Sequence, residues 1–473
     1  MQNILRYFFG LLVILSISLF SSCRKNDKVD SNPALMLSFS TDTVMFDTVF
    51  ATVGSVTQRL MVYNRNSNKI SISQIQLGGG AGSSYRINVD GTPALTIQNV
   101  QIAGKDSMFI FIRVTVNPND KNTAFIVSDS IIFQTNGNRQ VIQLAALGQN
   151  ADFNVKKTLK GNQVWDSLKA HVIYGYLRID TGALLTILPG AKIYLHKNAY
   201  IAVSDQASLI IGGYGQWDHP VRIQSDRFDP YYRDLPGQWD AIYFERGSKG
   251  NSISNAVIKN GNYGLILDSL VTGSTAKLIL DGTIIQNMVY GGIYAYSTSI
   301  TGTNCVIGNC GGAALWIEKG GSYDFRQLTI GNFWTESVRS APALYLSNFT
   351  VDSLGRKFPN SLDTAYFGNC IIYGSSDGEI QYDSVTTVAF SHMFDHCLLK
   401  TGLPVSNPNY YIGCFVNQDP RFLDVQNFNY RIDSISPAIN KGVPMGVPND
   451  ITGRARPNPD TPALGAYEYA KTP

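Results

Sequence analysis

The chain has 473 residues, 44% of them apolar and only 15% charged, with 43 glycines and 25 tyrosines. So little charge and so much glycine exclude a coiled coil or an acidic disordered tail and favour β-structure with many tight turns. The 38 basic and 35 acidic residues leave a formal charge of +3, which gives no support to nucleic acid or an anionic membrane patch as a partner. The length exceeds one compact core and calls for two units or one elongated one.

Residues 1–22 read as an export leader. Arg6 supplies the positive start, Tyr7 to Phe20 is an apolar run of 14 residues, and Ser21-Ser22 precede Cys23. Fourteen helical residues cover about 21 Å, short of a hydrocarbon core of ~30 Å, so the segment is a cleaved leader and not a span. Leu19-Phe20-Ser21-Ser22-Cys23 resembles the lipobox of bacterial lipoproteins, with phenylalanine in the usual leucine place. That resemblance implies lipid attachment at Cys23 and anchorage in the cell envelope, with the outer membrane as the expected address; acyl chains at ~0.8 kcal/mol per buried CH₂ would hold it there. Residues 23–34 are polar and read as a short tether.

From Leu35 to Asn150 apolar residues alternate with period two, cut by turn residues every 8–12 positions. Candidate strands are Thr43–Phe50, Gln58–Tyr63, Ile70–Leu77, Ser107–Val116, Asp129–Gln134 and Gln140–Leu147, with Asn136-Gly137 as a hairpin turn. About seven short strands in this space argue for a β-sandwich. The run Val62 to Ile70 and the ending Phe133 through Gly148 resemble hydin-type immunoglobulin-like domains, which implies a spacer.

Residues 155–415 are a repeat. Ile258-Lys259-Asn260, Ile285-Gln286-Asn287, Ile307-Gly308-Asn309, Ile330-Gly331-Asn332 and Phe367-Gly368-Asn369 share one pattern, and Phe394-Asp395-His396 puts His in the Asn register. Their intervals of 27, 22, 23, 37 and 27 residues suit solenoid coils of short parallel strands, roughly ten in all. A stacked Asn side chain can satisfy backbone groups left open at a sharp corner, where stacked carboxylates would repel. Asn260, Asn287, Asn309, Asn332, Asn369 and His396 are therefore expected to form one ladder, with Cys310, Cys370 and Cys397 stacked one residue later. The five cysteines after Cys23 (305, 310, 370, 397 and 414) are odd in number and lack zinc-ligand spacing, so free buried thiols are expected.

Leu185 to Ala191, Ala207 to Gly213 and Pro236 to Ile242 resemble coils of right-handed parallel β-helices of the pectate-lyase type. Asp419-Pro420-Arg421-Phe422, Ser436 to Gly442, Asp450 to Arg456 and Gly465 to Tyr469 resemble the choice-of-anchor Q segment of secreted bacterial β-helices, so residues 416–473 are expected to cap the solenoid. The whole then reads as all-β: an immunoglobulin-like sandwich followed by a right-handed β-helix.

Such folds often act on acidic polysaccharides, but the motifs of that chemistry are missing. Polygalacturonase-like enzymes need clustered carboxylates and a Gly-His-Gly, and no two aspartates are adjacent here. Asp377, Glu379 and Asp383 with Arg339, and His392, Asp395 and His396, are the nearest groupings to an acid–base or calcium site. No phosphate-binding loop supports nucleotide chemistry, and no cofactor or metal is expected. Between Tyr214 and Trp239, six aromatics fall in 26 residues among Asp and Arg. That mixture suits sugar C–H faces and hydroxyls, which makes Trp217, Tyr231, Tyr232 and Trp239 candidate glycan contacts, with Trp239 alternatively a core anchor. The interval from Asn332 to Asn369, with Trp334, Glu336, Arg339 and Phe349, is a second candidate lip. A non-catalytic surface binding or structural lipoprotein with a polysaccharide partner is the leading expectation. A polysaccharide lyase or glycoside hydrolase with an unrecognised site is the alternative.

Overall fold

The computed structural model describes residues 28–51, 54–117, 125–228, 231–269, 276–457 and 461–469. The leader and Cys23 lie outside the described residues. The chain divides into two compact units, Met1–Asn150 and Ala151–Pro473.

The first unit is a β-sandwich of two five-stranded sheets. Thr43–Phe50 and Ile70–Leu77 run where the alternation places them, and further strands at Tyr85–Val89 and Thr96–Ile102 complete the sheets. Inward residues of both sheets, among them Leu60, Ile72, Ile110, Ile131 and Phe133, share one core. Asn136 and Gly137 both have positive φ (50° and 79°), the geometry of a type I′ hairpin turn. Part of the expected tether is fastened down. Asp30 N–H donates to the Lys69 carbonyl (2.8 Å), and the Asn136 and Asn138 amides donate to the carbonyls of Asp30 and Pro33.

The second unit is a parallel β-helix whose strands form one 26-stranded sheet coiled on itself. It begins at Ala151, because Ala151–Leu159 already pairs in parallel with Ala170–Ile179. Each coil visits three faces. Face A includes Lys192–Leu195, Val221–Ser225, Ala256–Lys259, Ile284–Met288, Val306–Cys310, Thr329–Asn332 and Ile371–Gly374. Face B includes Tyr200–Val203, Ile242–Phe244, Tyr263–Leu267, the first halves of Gly291–Thr303 and Leu315–Arg326, then Leu344–Ser347 and Ile380–Asp383. Face C carries Leu184–Ile187, Ser208–Ile211, Asn251–Ser254, Leu278–Asp281, the second halves of the two long strands, Leu362–Gly368 and Met393–Asp395.

The core follows from this stacking. Ile193, Ile223, Ile258, Ile285, Ile307, Ile330 and Ile372 succeed one another in register inside face A. No coil could bury such a residue alone; a neighbour ~4.8 Å away does it. On face C the rings of Phe325, Phe367, Phe394 and Tyr411 stack at 5.8, 5.0 and 5.6 Å. Tyr411, Leu403 and Val405 pack on the core at the last coils.

The C-terminal segment packs along face A. Tyr430 lies on Gly308 and Gly331, where a Cβ would meet its ring within 2.5 Å. Ile432, Ala438 and Leu464 pack on Ile371 and Leu398. In these later coils face A carries Val306, Gly308, Gly331 and Ile371 on its outer side, so a cover along this flank hides apolar surface.

The expected single ladder is two. Asn260, Asn287, Asn309 and Asn332 share the corner between faces A and B. The Asn287 amide donates to Asn260 Oδ1 (2.8 Å) and that of Asn309 to Asn287 Oδ1 (2.9 Å). Asn332 Oδ1 accepts from Cys310 N–H (2.6 Å). Asn369 and His396 instead occupy the corner between C and A, in one column with Asn255, Gly282, Asn304, Gln327 and Gly413, all with φ between 49° and 57°. The C–A column, and the A–B corner at Asn260, Asn287 and Asn309 (φ 71°, 62° and 50°), hold a left-handed residue that Asn or Gly supplies cheaply, so the same Asn signal arises at two corners. Cys310 accordingly follows the A–B corner, whereas Cys305, Cys370, Cys397 and Cys414 follow the C–A corner. All five are free thiols.

Asn287 is buried, and its amide also donates to the Asp234 carbonyl (2.7 Å). Asn287→Ala should cost about 1–3 kcal/mol for stranded partners and roughly 1 kcal/mol more for its positive φ. Asn287→Gly removes the second cost alone, so urea midpoints should rank wild type, Gly, Ala in falling order.

Candidate functional site

The four expected glycan contacts do not converge. Trp217 sits on the connection from face C to face A, and its half-buried ring packs on Gly453 of the C-terminal segment. Tyr231, Tyr232 and Trp239 lie on the next connection, from face A to face B. Trp239 is wholly buried, with its ring against Gly261 and Nε1 donating to the Lys259 carbonyl (2.9 Å). It is a core anchor and offers no face to a ligand. The Arg227 guanidinium covers the Tyr232 ring at 3.1 Å, and only Tyr231 is well exposed, at 73%. This loop is tied down from below, since the Asn260 and Asn287 amides donate to the carbonyls of Arg233 and Asp234.

Each of the two acid–base groupings comes together only as a pair. Arg339 and Glu379 form a buried ion pair (2.6 Å) that fastens the 333–343 connection, Asp377 is exposed, and Asp383 points out from face B. Trp334 in the same connection is buried against Gly311. His392 stacks on Tyr410 (4.6 Å), and burial lowers its pKa to about 4. His396 Nδ1 meets Asp395 Oδ1 at 2.7 Å, and Asp395 also accepts from the Tyr366 hydroxyl (2.8 Å).

What does converge is the outer side of face B. The register sets Tyr243, Ile266, Tyr294, Trp316, Tyr345 and Gln381 in one outward column. Tyr294 meets Trp316 at 6.4 Å and Trp316 meets Tyr345 at 4.5 Å. Towards the start of the helix, Tyr176 stacks on Tyr200 (5.9 Å), which meets Tyr243 edge-on (5.7 Å). Tyr263 joins Tyr290 (5.4 Å) to Tyr294 (6.4 Å). From Tyr176 to Tyr345 the strip crosses seven rungs, or about 29 Å at the usual strand spacing.

Carboxylates fix three of these rings. Tyr243 Oη donates to Asp240 (2.7 Å), Tyr294 Oη to Glu318 (2.6 Å) and Tyr345 Oη to Asp383 (2.8 Å). Burial first, and then the carboxylate partner, pushes all three phenols well above their usual range. A second outward column holds Glu245, Asp268, Tyr296 and Glu318. Glu245 accepts from Arg178 through both oxygens (2.8 and 2.9 Å). Beneath it, buried Lys277 donates to the carbonyls of Glu245, Asp268 and Ser269, and desolvation lowers its pKa to about 8.

Long connections border the strip. The described part of the 226–241 connection and the 333–343 connection lie at the A–B corner. At the B–C corner a hairpin, Phe349–Val351 with Lys357–Pro359, leans on Glu318 through Thr350 Oγ1 and on the Lys319 carbonyl through Asn360 (3.2 Å). Two clefts of about 260 Å³ each open along the strip. One lies between Tyr263, Tyr290 and Trp316, and the other between Tyr243, Glu245, Asp268 and Tyr296.

A sequence signal for this site exists. Ile242-Tyr243-Phe244, Ile293-Tyr294-Ala295, Leu315-Trp316-Ile317 and Leu344-Tyr345-Leu346 place one aromatic residue between two apolar ones, in four of five successive coils, with Ile266 in the same place in the fifth. Density along the chain hides it, because the members stand 22 to 51 residues apart.

No protein-family model matches this chain, and no curated protein does. Among solved structures it is similar to a family 123 glycoside hydrolase from Clostridium perfringens that acts in glycolipid glycan hydrolysis, at 10% identity and a TM-score of 0.20, over 28% of this chain and 30% of that one. It is also similar to the VesB protease of Vibrio cholerae (11% identity, 24% of this chain and 31% of that one, TM-score 0.18). A PapD-like domain of human CEP192 matches at 9% identity over 26% of this chain and 91% of that one, with a TM-score of 0.17. The chain thus spans about a third of the length of the first two structures, and likeness at these scores says nothing of activity.

Proposed function

We propose that this chain is an exported lipoprotein, anchored through Cys23, that binds an extended polysaccharide along face B. The observation that carries the reading is the strip of half-exposed rings around Tyr294, Trp316 and Tyr345. Sugar rings present C–H faces to aromatic planes and hydroxyls to neighbouring carboxylates. A site repeated by the coil suits a repeating polymer better than a single small molecule. In this reading the sandwich is a hydin-type immunoglobulin-like spacer. The C-terminal segment, of choice-of-anchor Q type, stiffens the flank opposite the ligand. Binding is favoured over cleavage because four of the carboxylates at the strip, Asp240, Glu318, Asp383 and Glu245, are engaged by Tyr hydroxyls or by Arg178.

The test is retention of the purified chain on a panel of immobilised polysaccharides, wild type against Trp316→Ala and Tyr294→Ala. Each ring is worth about 0.5–1.5 kcal/mol beyond its area, so each loss should weaken binding roughly two- to twelvefold and the pair should abolish retention. Circular dichroism should stay unchanged. Equal retention of all three proteins, or none by wild type, refutes the groove. Anchorage is checked separately by fatty-acid labelling, which Cys23→Ala should abolish.

A further inference from the structure

The carboxylates that fix the tyrosines also decide what charge the groove tolerates. Asp240, Glu245, Asp268, Glu318 and Asp383 border the strip. The cations bonded into it are already engaged: Arg178 by Glu245, Lys319 by the Tyr296 hydroxyl (3.1 Å) and Lys277 by three carbonyls. Three tyrosines spend their protons on carboxylates. What those pairs still offer a ligand is lone pairs: phenol oxygens and carboxylate oxygens. Lone pairs call for donors. A sugar hydroxyl donates to a carboxylate in a charge-assisted hydrogen bond, whereas a uronate brings a second anion to the same place. Arg178, the cation here whose fork could hold a planar carboxylate, gives Nη1 to both Glu245 oxygens, so a uronate approaching it meets the Glu245 anion as well.

We infer that face B selects neutral, hydroxyl-rich polysaccharides and rejects uronate-bearing ones, an inference that rests on the groove reading above. The rejection comes from like charge, so it is electrostatic and screened by salt. Two uncompensated charges at ~8 Å in water correspond to roughly a fivefold preference at low ionic strength.

Matched polymers test this: polygalacturonate, alginate and hyaluronan, each beside its own carboxyl-reduced form, so that backbone and linkage stay fixed while charge is removed. Wild type should retain reduced forms over their uronate parents, with a preference that shrinks at 0.5 M salt, an ionic strength whose screening length is only about 4 Å. Asp268→Asn with Glu318→Gln should narrow the preference, and Trp316→Ala should weaken retention of reduced forms. If uronate polymers are retained as well as their reduced forms, the charge inference falls while the groove reading stands. If retention survives Trp316→Ala together with Tyr294→Ala, or if wild type retains none of these polymers and none of the neutral panel, the groove reading itself falls and takes this inference with it.

Discussion

Trp239→Ala should lower the stability of the β-helix unit by about 3–5 kcal/mol, the range for removing a large buried aromatic side chain. The ring is completely shielded, lies over Gly261 in the next coil and bonds the Lys259 carbonyl. Its loss opens a cavity between two rungs and strands that carbonyl in the same step. The surroundings cannot collapse easily, because the coils above and below are held in register by parallel strand pairing. Trp239→Phe keeps most of the volume and should recover the larger part of the loss. Urea unfolding followed by circular dichroism measures both. A midpoint for Trp239→Ala within error of wild type would mean that the ring is not a core element.

Arg339→Ala should cost a similar amount, about 3–5 kcal/mol, for a different reason. The Glu379 carboxylate is fully buried and accepts from both terminal nitrogens of Arg339 (2.9 and 2.6 Å) and from the backbone N–H groups of Ala343 and Ser376. Removing the cation leaves an anion without its counter-charge in a low-dielectric site. Arg339 also donates to the carbonyls of Asn332 and Ala341, so the wall of the groove loses its fastening together with its charge balance. Replacing both partners, Arg339→Met with Glu379→Met, should destabilise less than Arg339→Ala alone, since no buried charge is then left behind. A double variant at least as unstable as the single would show that the pair contributes through something other than charge compensation. Limited proteolysis should cut the 333–343 connection faster in the single variant.

Much of the architecture is legible in the chain. Alternation places Thr43–Phe50 and Ile70–Leu77 as strands, because a half-buried strand must alternate. The recurring Ile-x-Asn steps give coils, because only stacking can bury one short apolar run per 20-odd residues. The same rule misassigns Asn369 and His396. The 333–343 connection and the hairpin stretch one coil until Asn332 lies beside Gly374 and not Asn369, and an interval of 37 residues looks like a single long step.

The candidate site was legible only in part. Six aromatics between Tyr214 and Trp239 form a visible cluster, yet the fold spends Trp239 on the core, Trp217 on the C-terminal segment and Tyr232 on Arg227. The column from Tyr243 to Tyr345 is invisible to local density, since it takes at most one ring from each coil. The sequence by itself determines the coil, its inward isoleucines and its left-handed corners, because burial period and backbone sterics are local properties. Which outward side chains become neighbours was decided by the tertiary structure alone. Lateral contacts in a solenoid depend on the register between coils, and that register integrates every insertion in the coils between.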